Sequence, residues 1–152
     1  MNKVGILCAC GEELEPFFTY MNGVKMKEKA MLKFYEGTIH QRDVVAVCSG
    51  VGKVNAAIAT QILIDTFHVT AVVNGGTAGG MAEDVGIFDT VVTKQCAYHD
   101  MDDDILTECY PWMPSVYFEG DRNLLELVRE YGKGREKRIL FGTIVTGDRF
   151  IT

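Results

Sequence analysis

Three carboxylates, those of Glu12, Glu13 and Glu15, follow directly after the first apolar run of the chain. That run, Val4 to Ala9, is short and continuously apolar, which is typical of a buried strand. A carboxylate at the end of a strand is a candidate general base, although a solvated first helical turn is the alternative. Pro16 favours a helix whose first turn contains it, so we predict Glu13 at or near the N-cap.

Two glycine-bearing loops also follow predicted strands. They are residues 49–53 (SGVGK) and residues 74–80 (NGGTAGG). Neither matches the P-loop or dinucleotide-binding spacing, and each could be only a tight strand exit. Ligands of open α/β sheets bind outside the strand ends, so we expect both loops to line a ligand site with Glu13. Arg42 is the only arginine before Arg122, which favours water activation over phosphate binding at this site.

The rest of the chain alternates between strand and helix patterns. Apolar runs and turn residues predict strands at 31–39, 42–49, 70–74, 88–93 and 138–146. Helices are predicted at 53–67 and from an N-cap at Asp121 to Gly132. This alternation predicts an α/β fold with a largely parallel sheet. The length of 152 residues fits one domain spanning residues 1–152.

Composition excludes several classes of partner. The net charge of −6 argues against nucleic-acid backbones and anionic membranes. No apolar run approaches the ~20 residues of a membrane span. The five cysteines are odd in number, and Cys8, Cys10 and Cys48 lie in apolar runs. We therefore expect reduced thiols in a cytoplasmic protein.

Two acidic or thiol-bearing clusters contain side chains that can bind metals. The cysteine–histidine cluster, consisting of Cys96, His99, Asp100 and Cys109, lacks zinc-site spacing. Residues 102–104 are three aspartates without the EF-hand spacing, which favours a solvated loop. We expect no metal and no cofactor.

Five motifs occur in order along nearly the whole chain. They are KVGILCACGEELE (3–15), SGVGKVNAA (49–57), NGGTAGG (74–80), YHD (98–100) and VTGDRFI (145–151). Together they resemble the N-terminal two-thirds of the 5′-methylthioadenosine/S-adenosylhomocysteine nucleosidases of the nucleoside phosphorylase superfamily. The resemblance implies a three-layer α/β/α sandwich around a mixed, largely parallel sheet, and a homodimer. It also implies hydrolysis of an N-glycosidic bond that releases adenine, a step of methionine salvage.

The resemblance also assigns roles to residues. Glu13 is matched to the glutamate that activates the attacking water. Leu106 and Pro114 are matched to loop positions that reach into the partner's alkylthio pocket, and an aromatic loop around Trp112 is expected at the subunit interface. His99 and Asp100 are expected to be structural, near the dimer contact. The residues implied to bind the ribose or the base are Cys10, Val51, Thr77, Gly79, Phe150 and Ile151.

Two family motifs are absent from these 152 residues. One is the Met-Glu motif that grips the ribose hydroxyls, and the other is the Ser-Asp motif whose aspartate protonates adenine. With no helix predicted after the last strand, we expect a chain truncated at its C-terminus and nearly inactive alone. The alternatives are a purine nucleoside phosphorylase and a non-catalytic nucleoside-binding or dimerisation module.

Overall fold

The computed structural model of the protein describes residues 3–110, 112–134 and 138–149. The chain divides into two compact units, residues 1–78 and residues 79–152. Each contains its own sheet.

The first unit is built on a five-stranded sheet with the order β2-β3-β4-β1-β5. The central strand β1 is parallel to both β4 and β5, whereas β2 and β3 form antiparallel hairpins that extend the sheet beyond β4. The elements are β1 (Lys3–Cys8), α1 (Gly11–Phe18), β2 (Asn22–Lys29), β3 (Leu32–Ile39), β4 (Arg42–Cys48), α2 (Lys53–Phe67) and β5 (Ala71–Asn74).

Strand β4 shows why this sheet carries a helix on each face. Val45 and Val47 belong to a buried cluster with Leu63 of α2, whereas Val44 and Ala46 belong to a second cluster with α1. Side chains of a strand alternate between the two faces, so the continuous apolar run of β4 has to be covered on both sides. The first unit therefore has three layers, with α1 and α2 on opposite faces of the sheet.

The second unit contains a three-stranded sheet with the order β7-β6-β8, in which β6 and β8 are parallel. The cap predicted at Asp121 is confirmed, because its carboxylate accepts a hydrogen bond from the Leu124 N–H at 2.9 Å. The elements are β6 (Thr90–Tyr98), α3 (Asp103–Cys109), β7 (Phe118–Glu119), α4 (Arg122–Gly132) and β8 (Ile139–Thr146).

Most predicted elements are confirmed, and three predictions are corrected. Helix α1 begins at Gly11 with Cys10 as its N-cap, so Pro16 lies in its second turn rather than its first. Glu13, predicted at or near the N-cap, is the third residue of the helix. Pro16 is tolerated there because it is exposed on a helix of only eight residues. Residues 102–104, predicted as a solvated loop, instead supply the N-cap Asp102 and the first two residues of α3. Strand β6 starts two residues later than predicted and continues to Tyr98.

Strand β2 was not predicted. All eight of its residues are exposed, so it lacks the alternation of buried and exposed side chains that indicates a strand. Its pairing is set by the hairpin to β3, where Ala30 and Met31 both adopt positive φ. Two consecutive residues with positive φ are typical of the type I′ turns that join antiparallel strands.

Candidate active site at the carboxyl edge of the first sheet

Three chain segments meet at one edge of the five-stranded sheet. Cys8 at the end of β1 is in register with Cys48 at the end of β4, and Leu7 is in register with Asn74 at the end of β5. The segments that follow these parallel strands therefore emerge side by side. They are the acidic turn of α1 and the two glycine loops, so the predicted convergence of all three is confirmed.

The Glu13 carboxylate bridges two of these segments. Its Oε2 accepts a hydrogen bond from the Ala9 N–H at 3.0 Å. Its Oε1 accepts two from Thr77, one from the backbone N–H at 2.8 Å and one from the hydroxyl at 3.1 Å. Because Glu13 is in the first turn of α1, its side chain reaches back over the strand end. The loop after β5 thus holds the carboxylate in one orientation.

Gly76 makes this close approach possible. A Cβ atom at position 76 would lie 2.8 Å from Glu13 Oε1 and 2.9 Å from its Cδ. Separations that short do not occur for real Cβ atoms, so any side chain here displaces the carboxylate or the loop. The sequence signal for this residue is the glycine pair before Thr77, which lies in the loop expected to line a ligand site.

The hydrogen bonds keep Glu13 ionised. Partial burial raises the pKa of its carboxyl group, but the donors on Thr77, Ala9 and Cys10 outweigh burial and lower the pKa below the ordinary value of 4.5. The carboxylate is therefore negatively charged at neutral pH. A fixed, ionised carboxylate at the edge of a sheet can orient a water molecule and accept its proton.

Two thiols close to Glu13 are protonated at neutral pH. Burial, followed by the Glu13 charge, raises the pKa of Cys8 to about 11. The Glu13 N–H lowers the pKa of Cys10, but Glu12, partial burial and the Glu13 charge together raise it above 9.0. Both thiols thus act as neutral groups rather than as nucleophiles.

The first glycine loop is braced by its own side chains. The Ser49 hydroxyl donates to the Gly50 carbonyl at 2.8 Å, and Asn55 Nδ2 donates to the Val51 carbonyl at 2.8 Å. Gly50 and Gly52 both have positive φ, 81° and 108°, which favours glycine at these two positions. Val51 between them is 63% exposed. The loop presents this apolar side chain at the same edge of the sheet as Glu13.

The structure brings only some of the predicted site residues together. Glu13 and Thr77 are in direct contact, and Cys10 and Val51 flank the same sheet edge. Gly79 is exposed, and a Cβ there would meet nothing within 4 Å. The supporting groups that the sequence analysis missed are the Ala9 N–H, Gly76, Ser49 and Asn55.

The remaining predicted site residues belong to the second unit or lie outside the described residues. Leu106 is on α3 and is 4% exposed, so the predicted loop position is corrected to a buried helical one. Pro114 is exposed. Phe150 and Ile151 lie outside the described residues. Within the described ranges, no three histidine, cysteine, aspartate or glutamate side chains are grouped as metal ligands would be.

Comparison with known proteins shows where this arrangement belongs. The sequence model of the phosphorylase superfamily matches residues 3–152. The chain is a member of the phosphorylase superfamily. A 5′-methylthioadenosine/S-adenosylhomocysteine nucleosidase from Oceanobacillus iheyensis is 38% identical over 151 residues, which cover 97% of this chain and 66% of that relative. This superfamily chain thus spans just under two thirds of that relative's length.

Solved structures agree with this assignment. A nucleosidase of the same name from Streptococcus pneumoniae, with a transition-state inhibitor, has a TM-score of 0.88 at 34% identity, covering 97% of this chain and 65% of its own. A counterpart from Neisseria meningitidis has a TM-score of 0.91 at 31% identity, covering 99% and 67%. A futalosine hydrolase mutant of Helicobacter pylori has a TM-score of 0.87 at 27% identity, covering 99% and 66%. The predicted nucleoside phosphorylase-like α/β fold is confirmed.

In the part of this superfamily chain that the structure describes, no helix is both long and apolar enough to span a membrane.

Proposed function

We propose that the full-length protein hydrolyses the N-glycosidic bond of 5′-methylthioadenosine and S-adenosylhomocysteine and releases adenine. The observation that carries this proposal is the ionised Glu13 carboxylate, held by Thr77 and Ala9 at the strand edge where α/β proteins bind ligands. The names of the relatives from Oceanobacillus iheyensis and Streptococcus pneumoniae support the same substrates.

In the proposed reaction, Glu13 accepts a proton from a water molecule. The water oxygen forms a bond to C1′ of the ribose while the bond between C1′ and N9 of adenine breaks. The electron pair of the broken bond leaves with the base, which takes up a proton from solvent, and Glu13 later returns its own proton to solvent. A negative carboxylate beside C1′ also stabilises the positive charge that develops on the sugar in an oxocarbenium-like transition state.

The nucleoside is proposed to contact Cys10, Val51, Thr77, Gly79, Phe150 and Ile151. Their support is unequal. Cys10 and Val51 lie at the same sheet edge as Glu13, and Thr77 touches the carboxylate itself. For Phe150 and Ile151 the support is the sequence resemblance alone.

We also propose that the protein is a cytoplasmic homodimer. Exposed apolar side chains support a dimer, among them Val54 of α2 at 68% and Trp112 at 74% exposure. Pro114 is exposed and accessible to a partner, which makes it a stronger candidate than the buried Leu106 for the alkylthio pocket. All five cysteines are free thiols, which supports a reducing compartment.

The direct test is adenine release by the purified full-length protein. Methylthioadenosine, adenosylhomocysteine and futalosine are offered separately, with and without phosphate, and the products are separated by chromatography. We expect adenine and free methylthioribose from methylthioadenosine without any phosphate requirement. Phosphate-dependent formation of a sugar phosphate would instead identify a phosphorylase. Adenine binding without turnover would identify a binding module.

Glu13→Gln tests the residue assignment. The amide keeps the size of the side chain but cannot accept the proton, so we expect turnover to fall about 100-fold or more while adenine still binds. Glu15→Gln is the matched control, because Glu15 is exposed on the same helix and carries no described site contact. Near-normal turnover by Glu13→Gln would exclude Glu13 as the base.

A further inference from the structure

The first peptide group after β1 has hydrogen-bond partners on both of its sides. This group, between Cys8 and Ala9, donates its N–H to Glu13 Oε2 at 3.0 Å. Its carbonyl, that of Cys8, accepts from the Ser49 N–H at 2.9 Å and from the Ser49 hydroxyl at 3.3 Å. Ser49 is the first residue after β4, and it is buried. One peptide group therefore joins Ser49 to the Glu13 carboxylate.

The next peptide group, between Ala9 and Cys10, repeats this arrangement. The Cys10 N–H is one of the donors that lower the pKa of Glu13. The Ala9 carbonyl accepts a hydrogen bond from Cys48 Sγ at 3.5 Å. Cys48 is the last residue of β4 and is in register with Cys8. Two consecutive peptide groups thus hold Glu13 on one side and are held by the end of β4 on the other.

Hydrogen bonds that meet at one peptide group strengthen each other. A donor to the carbonyl polarises the peptide, so its N–H donates more strongly to a carboxylate. The contact at the carbonyl also opposes rotation of the peptide, which keeps the N–H pointing in one direction. The donors at the end of β4 therefore act on the charge and on the orientation of Glu13 from the far side of these peptides.

We propose that Ser49 and Cys48 are positioning residues for Glu13. They act through the two peptide groups between β1 and α1, and they fix the carboxylate in the orientation from which it activates water. This inference rests on the proposed function, because it assumes that Glu13 is the base. It gives the end of β4 a role in the chemical step, in addition to bracing the first glycine loop.

A role confined to the first glycine loop would give a different result. The Ser49 hydroxyl also donates to the Gly50 carbonyl at 2.8 Å, so its one proton is shared by two acceptors. If only the loop depended on it, its loss would raise KM and would add to the effect of a change at Glu13. Loss of a positioning contact instead lowers kcat, and it has no further effect once the carboxylate has been removed.

The test is a double-mutant cycle in the full-length protein with methylthioadenosine as substrate. We expect Ser49→Ala to lower kcat about tenfold and to change KM by less than about twofold. In a Glu13→Gln background, we expect Ser49→Ala to have no further effect on kcat. Asn55→Ala is the matched comparison, because Asn55 braces the same loop through the Val51 carbonyl. We expect Asn55→Ala to raise KM without lowering kcat.

Cys48 provides a second pair of variants if Ser49→Ala does not fold. Cys48→Ala removes the donor to the Ala9 carbonyl, and we expect kcat to fall about threefold, because a thiol is a weak donor. Cys48→Ser keeps a donor at this position, so we expect it to retain most of the kcat. Alanine and serine differ little in size, so a change in packing alone would affect both variants alike.

The same measurements separate this inference from the proposed function. Full additivity of Ser49→Ala with Glu13→Gln, or an unchanged kcat in Ser49→Ala, would overturn the positioning role alone if the wild type is active. For the second pair, equal kcat values of Cys48→Ala and Cys48→Ser would have the same meaning. A wild type that does not release adenine would overturn the proposed hydrolysis.

An inactive wild type still allows a test, because NMR can follow the titration of the Glu13 carboxyl group directly. We expect Ser49→Ala to raise the pKa of Glu13, since a less polarised N–H stabilises the carboxylate less. The titratable groups that interact with Glu13 are those of Glu12, Cys8 and Cys10, and Ser49→Ala changes none of them. An unchanged Glu13 pKa would overturn the contact through the peptide.

Discussion

At the scale of single residues, the hydrogen bonds that hold Glu13 in the site also make the free energy of unfolding depend on pH. Its pKa is lowered in the folded protein, so its hydrogen bonds stabilise the fold above the ordinary pKa of 4.5. This contribution is lost as the pH falls through the lowered folded-state pKa, because protonation removes the charged acceptor. We expect Glu13→Gln to be less stable than wild type at pH 7 and the difference to shrink on acidification. The difference is measured as the gap between the urea unfolding midpoints of wild type and variant at pH 7 and at pH 3.5. For Glu15→Gln we expect the same gap at both pH values.

Gly76 permits a test of the carboxylate's orientation without changing its chemistry. We expect Gly76→Ala to fold, because the loop is exposed, but to lose about 100-fold in kcat. The added methyl group occupies the space of the Glu13 carboxylate. Adenine release and circular dichroism on the full-length protein measure the two effects. Gly142→Ala on β8 is the control, because an added Cβ there makes only an ordinary contact with Val91 at 3.7 Å and Gly142 is not among the proposed nucleoside contacts. Unchanged kcat in Gly76→Ala would mean that the observed Glu13 position is not needed for turnover.

The cysteines differ in burial, and we expect them to differ in reactivity toward alkylating reagents. The pKa of Cys8 is about 11 and its side chain is fully buried, whereas Cys109 is exposed. Alkylation requires the thiolate and access to it. We expect iodoacetamide at pH 8 to modify Cys109 first and to leave Cys8 unmodified until the protein unfolds. Peptide mapping by mass spectrometry reads out the order, and early loss of Cys8 would contradict its burial.

At the scale of elements, the turn that leads into β6 is strained. Phe88 has a φ of 71°, so a bulky residue adopts the left-handed conformation. Its side chain is 91% exposed, so burial of the ring does not offset the cost of this conformation. The Asp89 carboxylate, which accepts from the Gly86 N–H at 3.0 Å, holds the turn in this shape. Such a residue costs roughly 1–2 kcal/mol, which glycine would not.

We therefore expect Phe88→Gly to stabilise the protein by about 1 kcal/mol and to raise its thermal midpoint by several degrees. The gain is smaller than the full strain because glycine also makes the unfolded chain more flexible. Differential scanning calorimetry on the full-length protein measures the shift. Ile87→Gly is the control, because Ile87 is equally exposed without a positive φ, and it should lower the midpoint. A lower midpoint for Phe88→Gly would show that the ring makes a stabilising contact.

Sequence patterns predicted the elements whose burial is regular. Helix α2 was predicted with the bounds that it has, and β1, β4 and β5 were placed within a residue or two, because apolar runs record burial directly. The exposed strand β2 and the short helix α3 have no apolar run from which they could be predicted. Pro16 misled the prediction of the α1 start, since the cost of an interior proline is small near the end of a short exposed helix.

The candidate site was predictable in its parts but not in its contacts. Parallel strands necessarily bring the acidic turn and both glycine loops to one edge. Which carboxylate reaches which loop depends on the helix start, on the space at Gly76 and on the Thr77 hydroxyl. These are distances between segments about 60 residues apart in sequence, and no local pattern encodes them.

At the scale of the whole molecule, the proposed dimer is open to a simple measurement. We expect the full-length protein to sediment as a dimer at micromolar concentration, and Trp112→Ala to shift the equilibrium toward monomer by about tenfold or more. The indole is 74% exposed and stacks edge-on to Tyr110, so its apolar area is accessible to a second copy. Met31→Ala, which changes an apolar side chain of 93% exposure in a hairpin turn, is the control. A wild type that sediments only as a monomer would overturn the dimer.

The unpredicted strand β2 forms an outer edge of the first sheet, and this position has a consequence for solubility. Its outer backbone groups are a template for strand addition by other chains, and natural edge strands are often protected by lysine. Lys25, Lys27 and Lys29 alternate along β2, and Lys27 is also paired with Glu36 at 2.7 Å. If a second copy approached this edge through its own β2, its three lysines would be repelled by the three lysines already there. An edge strand that contributes no buried residue to the core thus discourages fibre-like stacking of the protein.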